Sequence, residues 1–252
     1  MERVFRREPH DWWNTAALGL LVVIVFLMIW MDACTSRSPD TANTNRAANR
    51  AATSPTGSST VTKTDSVPAS LASAGEYAEN IYDFAKTNDW NNADAKLAAL
   101  KDAVKNMHTV VQNKGAAVDG LDENVTALER AVVAKDRQAT MREANRVTLD
   151  VAVMTSAYKL TVPVEVTKLD YYGRELEVWT QAQDANRLQA TAREMRQTWD
   201  SLRPSIETHS TMEAKKFDAL VAQVESAKTP ADYARVATPV LNEVDNLEKL
   251  FH

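Results

Sequence analysis

The stretch ADAKLAALKDAVKNMHTVV, residues 93–111, decides the fold class of this chain. Its core-type residues recur at alternating steps of four and three, namely Ala93, Leu97, Leu100, Val104, Met107 and Val111. This spacing puts them on one face of an α-helix. A helix with one apolar face needs neighbours that cover that face, so the stretch predicts a helical bundle.

Seven further stretches beyond residue 74 carry the same helical spacing. Their apolar stripes span residues 77–84, 118–132, 147–158, 169–179, 188–206, 217–227 and 233–251. The connections are short, so successive helices are expected to be antiparallel neighbours. Thr229 and Pro230 predict a helix start, with Thr as the N-cap and Pro in the first turn. Pro204 and Pro239 fall inside two stripes, and each is predicted to kink or end its helix.

The two halves of the helical region resemble each other. DANRLQATAREMRQTWDSL, residues 184–202, parallels the opening stretch and pairs Leu97 with Leu188 and Val104 with Met195. We predict an all-α fold of two tandem antiparallel four-helix bundles, residues 74–160 and 164–252, made by internal duplication. Identity between the halves is low, so two similar helical patterns without duplication are the alternative. Tetratricopeptide repeats fit less well, because their period is about 34 residues.

The N-terminal region has the features of a membrane anchor. Residues 15–31 contain no charge over 17 positions, near the lower limit for a helix that spans a bilayer. Tryptophans lie at both ends of this segment, where indole rings favour the headgroup level, and three arginines precede it. We therefore predict a cytoplasmic segment 1–14, a transmembrane segment 15–31, and a helical domain outside the cytoplasm, in the periplasm if the cell is Gram-negative.

Cys34 is the only cysteine, so the chain cannot form an internal disulfide. Ala33 and Cys34 resemble the end of a lipoprotein processing box, in which a lipidated cysteine follows a small residue. Asp32 departs from that pattern, since a small uncharged residue is expected there. A retained anchor is favoured, and lipidation of Cys34 or cleavage of a signal peptide are the alternatives.

Residues 32–73 are predicted to form a disordered linker. Ser, Thr, Asn, Ala and Pro dominate, and such a segment buries too little apolar surface to offset its ordering entropy. As a flexible coil, residues 35–70 would span about 35 Å on average. A tether of this length suits a domain that reaches for a partner above the membrane.

Sequence motifs for catalysis and cofactor binding are absent. No GxxxxGK[ST], GxGxxG, Glu-x-x-His or Cys-x-x-Cys-His occurs. The net charge of −5 gives no basic footprint for nucleic acid. The sequence therefore predicts a protein without enzymatic activity, cofactor or nucleic-acid partner.

Two site hypotheses remain. Met107 and His108, together with His209 and Met212, are candidates for a soft copper site, because Met and His suit that metal. The alternative is that Met107 lies in the core and both histidines are solvated. In LDYYGRELEVW, residues 169–179, Tyr171 and Arg174 fall outside the helical stripe and are predicted to form an exposed protein interface. Packing of Tyr171 at the edge of a bundle is the alternative.

Location and architecture together favour a binding role over a catalytic one. The leading prediction is a membrane-tethered, extracytoplasmic helical module that binds another protein or organises a complex of the cell envelope. The alternative is an accessory protein or sensor that binds a small ligand or copper in a pocket of one bundle.

Overall fold

The computed structural model describes residues 66–110 and 115–252, all of which belong to one compact unit, residues 59–252. Eight helices account for nearly all of these residues: α1 (Ala69–Lys86), α2 (Trp90–Val110), α3 (Gly115–Val133), α4 (Arg137–Thr155), α5 (Val164–Ala182), α6 (Ala185–His209), α7 (Thr211–Ser226) and α8 (Pro230–Lys249). The predicted all-α class and the eight predicted helices are confirmed.

None of the described helices has the length and apolar character needed to cross a membrane. The predicted cytoplasmic segment 1–14, the predicted anchor 15–31 and Cys34 lie outside the described residues.

Helix α1 begins earlier than the sequence pattern predicts. The linker was expected to extend to residue 73, but α1 starts at Ala69 and Leu71 is fully buried. Val67, just before the helix, also packs against the core. The prediction was wrong here because the first turns of α1 use Leu71, Ala74 and Ala78 as core residues. Small alanines complete a stripe that large residues alone do not reveal.

Three helix connections use the same turn. In each, a residue with positive φ ends one helix, and the aspartate that follows accepts a hydrogen bond from a backbone N–H in the first turn of the next helix. The pairs are Asn88–Asp89, Lys135–Asp136 and Gln183–Asp184. Helix α8 begins differently, with a capping box formed by Thr229 and Asp232 and with Pro230 in the first turn. This confirms the predicted start of α8.

Neither proline ends its helix. Helix α6 continues through Pro204 to His209, and α8 continues through Pro239 to Lys249. Both prolines are exposed, so the helix hydrogen bond that each removes lies on the solvent side, where water can satisfy the free carbonyl. The buried residues on either side of each proline keep the helix packed. Of the predicted kink or end, the end was therefore wrong, and the kink stays a prediction.

Helices α1–α4, which we call the first helix set, share one hydrophobic cluster. Helix α1 packs against both α2 and α4, and α3 packs against α4. Alanines on α1, namely Ala74, Ala78 and Ala85, are fully buried in this cluster. Small side chains let neighbouring helices approach closely along the length of α1.

Helices α5–α8, the second helix set, share another cluster. It includes the fully buried Trp199 of α6 and Phe217 of α7, whose ring centroids lie 4.6 Å apart. Helices α5 and α8 come close together at Gly173, where an added Cβ would lie 2.6 Å from Cδ2 of Leu241. A side chain at position 173 would therefore require the Leu241 side chain to move.

Helix α5 is shared between the two clusters. Leu169 and Leu176 are buried in the second cluster, whereas Val178 is buried in the first. Trp179 packs against both. Helix α5 also packs directly against α4. The polar residues on that side of α5 therefore lie where the two helix sets meet.

Candidate functional site

A cavity of about 180 Å³ lies where residues of α1, α5 and α8 meet, and we call it the junction cavity. Valines line part of its wall, and Thr167 contributes one hydroxyl group. The remaining lining residues are charged: Glu79 from α1, Asp170 and Arg174 from α5, and Asp245 and Glu248 from α8. Carboxyl groups therefore outnumber the one guanidinium group among the lining residues.

Arg174 is at the centre of this charge cluster. Its Nε donates a hydrogen bond of 2.8 Å to Oδ2 of Asp170, and its Nη2 lies 4.0 Å from Oε2 of Glu79. The guanidinium carbon lies 5.0 Å from the centroid of the Tyr82 ring, within range of a cation–π interaction. The Nη1 atom is buried and has no hydrogen-bond partner among the described residues.

The predicted exposure of Arg174 is therefore wrong, since only 13% of its side chain reaches solvent. The residue does lie at an interface, but one formed within the chain between α5 and α1. The physical reason is that Glu79 and Tyr82 on α1 supply a counter-charge and a ring face to Arg174. A stripe analysis of α5 alone contains no information about partners on another helix.

Tyr171 is half-buried, and its ring packs edge-on against Tyr172 at a centroid distance of 5.2 Å. Burial raises the pKa of its phenol group above the ordinary value. Its backbone carbonyl accepts a hydrogen bond of 3.1 Å from Nδ2 of Asn145 on α4. Tyr171 thus lies at the contact between α4 and α5, which agrees with the alternative of packing at a bundle edge.

Among the carboxyl groups that line the cavity, Glu79 has the pKa that is raised closest to 7. Burial raises its pKa from 4.5 to about 7; Arg174 opposes the rise, and Asp170, Asp83 and Glu248 add to it. Burial likewise raises the pKa of Asp170, against the opposing charge of Arg174. The Glu79 side chain remains 39% exposed, so it can exchange protons with solvent. The chemistry available here is the uptake and release of a proton near neutral pH.

A second polar group links α1 to α5 beside the cavity. Glu177 accepts hydrogen bonds from Oη of Tyr82 at 2.9 Å and from Nζ of Lys86 at 2.8 Å. Burial raises the pKa of Tyr82, and the neighbouring Glu177 carboxylate adds to the effect. The cation of Lys86 therefore already has a carboxylate partner outside the cavity.

A third polar group links α4 to α5. Asn145 is fully buried, and besides the Tyr171 carbonyl its Nδ2 reaches Oε1 of Glu175 at 3.3 Å. Oε2 of Glu175 also accepts a hydrogen bond from Nε1 of Trp179. Burial raises the pKa of Glu175, and the hydrogen bonds from Trp179 and Asn145 oppose that rise. Buried polar groups of this kind constrain the alignment of α4 and α5, because a shift would leave them unpaired.

The candidate copper ligands have different neighbours. Met107 is fully buried in the first hydrophobic cluster, as the core alternative expects. The exposed ring of His108 lies 3.0 Å from Oδ1 of Asp122, whereas the ring of His209 packs against Phe251 at 4.8 Å between centroids. Met212 is 62% exposed. Within the described ranges, no group of three or more His, Cys, Asp or Glu residues is arranged to hold a metal ion.

A second cavity, of about 290 Å³, lies between α2 and α3, and we call it the α2–α3 groove. Val104 and Val125 contribute apolar surface, and charged side chains surround them. Two ion pairs connect the helices here, Lys101 to Glu129 at 2.5 Å and His108 to Asp122 at 3.0 Å. Both partners of each pair are well exposed to solvent, so these contacts hold the two helices together only weakly.

Sequence reasoning did not identify Glu79 or Glu248. The spacing of Asp170 and Arg174 by four residues is a visible signal for an ion pair within α5. Glu79 and Glu248 come from helices far away in the sequence, so only the packing of three helices reveals the site. Comparison with known proteins found no matching protein-family model, no matching curated protein and no matching solved structure.

Proposed function

We propose that this chain is a membrane-tethered, extracytoplasmic, non-catalytic module that binds another protein or organises a complex of the cell envelope. The uncharged segment 15–31 and the linker that follows motivate the location. The observation that carries the role is the use of the central polar groups. Asn145, Glu175 and Glu177 form hydrogen bonds that join helices, instead of surrounding a nucleophile or a reactive group.

The architecture that fits this role is a pair of tandem four-helix bundles that arose by duplication. Each helix set has its own hydrophobic cluster, which supports two bundles. The connections α1–α2 and α5–α6 use the same turn, in which Asn88 and Gln183 have positive φ. The turn is not specific to this pair of connections, since α3–α4 uses it too, whereas α7–α8 leads into a helix capped by Thr229.

A joint with buried hydrogen bonds suits a scaffold. The contacts of α5 with α1 and α4 hold the two helix sets together, so a partner bound to one set has a defined position relative to the other. The linker would let this body search a zone of tens of ångströms above the membrane. An organising module requires a linker long enough to reach its partner and a folded body whose parts keep fixed positions.

Location is tested by cysteine labelling. In a Cys34→Ser background, Ala222→Cys places a thiol on the exposed face of α7. A membrane-impermeant maleimide added to intact cells of the native host should label this thiol, and an engineered cysteine at Glu2 should react only after lysis. Labelling of position 222 only after lysis would contradict the proposed orientation. Mass spectrometry of the N-terminus distinguishes an intact Met1 from a lipidated Cys34.

Partner binding is tested by photo-crosslinking of the full-length protein in its native membrane. A photoreactive amino acid is placed at Lys105 or Thr126 on the rim of the α2–α3 groove, or at Ala222 on α7. We expect one of the two surfaces, the α2–α3 groove or the exposed face of α7, to give a defined protein adduct that the other does not give. An excess of this protein without the photoreactive group should compete the adduct away. Equal yields from all positions, or no protein adduct from any of them, would contradict the proposal.

The second candidate function is the binding of a small ligand in the junction cavity, which is favoured by its polar lining. Its volume of about 180 Å³ is below the roughly 300–1,000 Å³ typical of ligand pockets. Only a small group would fit, and this places ligand binding second. A rise of Tm with the concentration of small amines, lost in Asp170→Asn but kept in Glu165→Gln, would support it over the scaffold.

A further inference from the structure

The charges at the junction cavity are out of balance. Carboxyl groups line it from every helix that forms it: Glu79 from α1, Asp170 from α5, and Asp245 and Glu248 from α8, with the exposed Asp83 of α1 nearby. Arg174 is the one cation among the lining residues, and the nearby Lys86 is paired with Glu177. Like charges near one another repel, and the repulsion is stronger where burial lowers the local dielectric constant.

The position of Arg174 decides which carboxyl group lacks a close partner. Its Nε is hydrogen-bonded to Asp170 at 2.8 Å, whereas Nη2 is 4.0 Å from Glu79. Glu79 belongs to the first helix set, while Asp170, Asp245 and Glu248 all belong to the second. Arg174 attracts a charged Glu79, but the same cation is hydrogen-bonded to Asp170, and Asp170 and Glu248 of the second set repel that charge across the cavity.

We propose that the junction of α1, α5 and α8 is a proton-sensitive joint, in which protonation of Glu79 tightens the contact between the two helix sets and its ionisation loosens that contact. This inference goes beyond the proposed function, since it concerns the mechanics of the chain whether or not a protein partner binds.

The direction of the effect follows from proton binding. The pKa of Glu79 is raised from 4.5 to about 7 on folding, chiefly by burial, so between these pH values the folded state binds more protons than the unfolded state. The stabilisation from a neutral Glu79 is complete in acid and is lost as the pH rises through 7. The 39% exposure of the side chain makes the effect smaller than full burial would.

Tyr82 and Glu177 do not take part in this exchange. Glu177 holds hydrogen bonds from both Tyr82 and Lys86, and that group anchors α1 to α5 beside the cavity. The joint is therefore expected to loosen around a fixed point and not to separate completely.

The test measures the distance between the helix sets in the full-length protein in detergent micelles. Spin labels are attached at Ala98→Cys on α2 and Ala222→Cys on α7, both exposed, in a Cys34→Ser background. Pulsed electron paramagnetic resonance then gives distance distributions at about pH 5.5 and about pH 8.5, on either side of the Glu79 transition. We expect a narrow distribution in acid and a broader or longer one in base. Identical distributions at both pH values would overturn the proposal.

Variants assign the effect to Glu79. Glu79→Gln keeps the size of the side chain without its charge, and should give the narrow distribution at both pH values. Glu76→Gln, an exposed change on the same helix, should keep the pH dependence of the wild type. The inference is wrong if the distance distribution of Glu79→Gln keeps the full pH dependence or is broad at both pH values.

A further variant keeps the test independent of how well Glu79→Gln folds. Glu248 contributes to the raised pKa of Glu79 and its own side chain is 55% exposed. Glu248→Gln should therefore move the midpoint of the distance change to lower pH, because one negative neighbour is gone. A midpoint that stays in place or rises would count against the joint.

Discussion

Helix pairs α2–α3 and α6–α7 are the second and third helices of their sets, yet different contacts hold them together. The offset of 91 residues that pairs Leu97 with Leu188 also pairs His108 with Trp199. Trp199 is fully buried, whereas His108 is exposed. Each donates toward an aspartate on the next helix, Asp218 for Trp199 and Asp122 for His108. The same position in two similar patterns is thus a core residue in one set and a surface residue in the other.

The surroundings of Trp199 explain the difference in cohesion. Its ring packs on Phe217, and its Nε1 donates a hydrogen bond of 2.8 Å to Asp218. Arg203 adds two hydrogen bonds to the same carboxylate, at 2.9 and 3.0 Å. Around His108, in contrast, the interhelical ion pairs are exposed and worth little. Cohesion of a helix pair therefore depends on which side chains are buried between the helices and not on the helical period alone.

The largest effect is expected from Trp199→Ala. Removal of a fully buried indole ring leaves a cavity and should lower the free energy of unfolding by about 3–5 kcal/mol. The matched change His108→Ala should cost no more than about 0.5 kcal/mol, because its ion pair is exposed. Urea denaturation followed by circular dichroism compares the two. Equal losses would show that the contrast between the two helix pairs is wrong.

A smaller effect is expected at the contact between the two sets. Asn145→Ala removes the donor to the Tyr171 carbonyl and to Glu175, and should cost about 1–3 kcal/mol because buried acceptors lose their partner. Hydrogen–deuterium exchange should rise along α4 and α5 before it rises in α6 and α7. Asn242→Ala, an exposed change on α8, is the control and should alter neither quantity. Uniform exchange across all helices would mean that this contact does not act locally.

The smallest expected effect is a loss of stability at low pH. The hydrogen bond from Arg203 lowers the pKa of Asp218 below its ordinary value of 3.8, with Trp199 also contributing. A group whose pKa falls on folding stabilises the native state above its unfolded pKa, and this stabilisation is lost as the pH drops below 3.8. The stability difference between wild type and Asp218→Asn should therefore shrink in acid. This change is measured by comparing the urea midpoints of wild type and Asp218→Asn from about pH 6 to about pH 2. A constant difference would contradict the role of the Asp218 charge.

The sequence was informative where a single helix contains the signal. Stripes of apolar residues located the eight helices, and Thr229 and Pro230 marked the start of α8. It failed where the signal is divided between helices. The exposure of Pro204 and the burial of Arg174 both depend on which neighbour covers each face. The candidate site has the same limitation, because only the Asp170–Arg174 spacing is local.

The order of residues by itself determined that this chain is helical beyond residue 74, because a period of 3.6 residues fixes which side chains share a face. It also determined the positions of the three arginines and of the uncharged segment 15–31 near the N-terminus. Only the tertiary structure decided that α5 serves two hydrophobic clusters and that Glu79 meets Arg174. Contacts between distant helices depend on three-dimensional packing, and no local period encodes them.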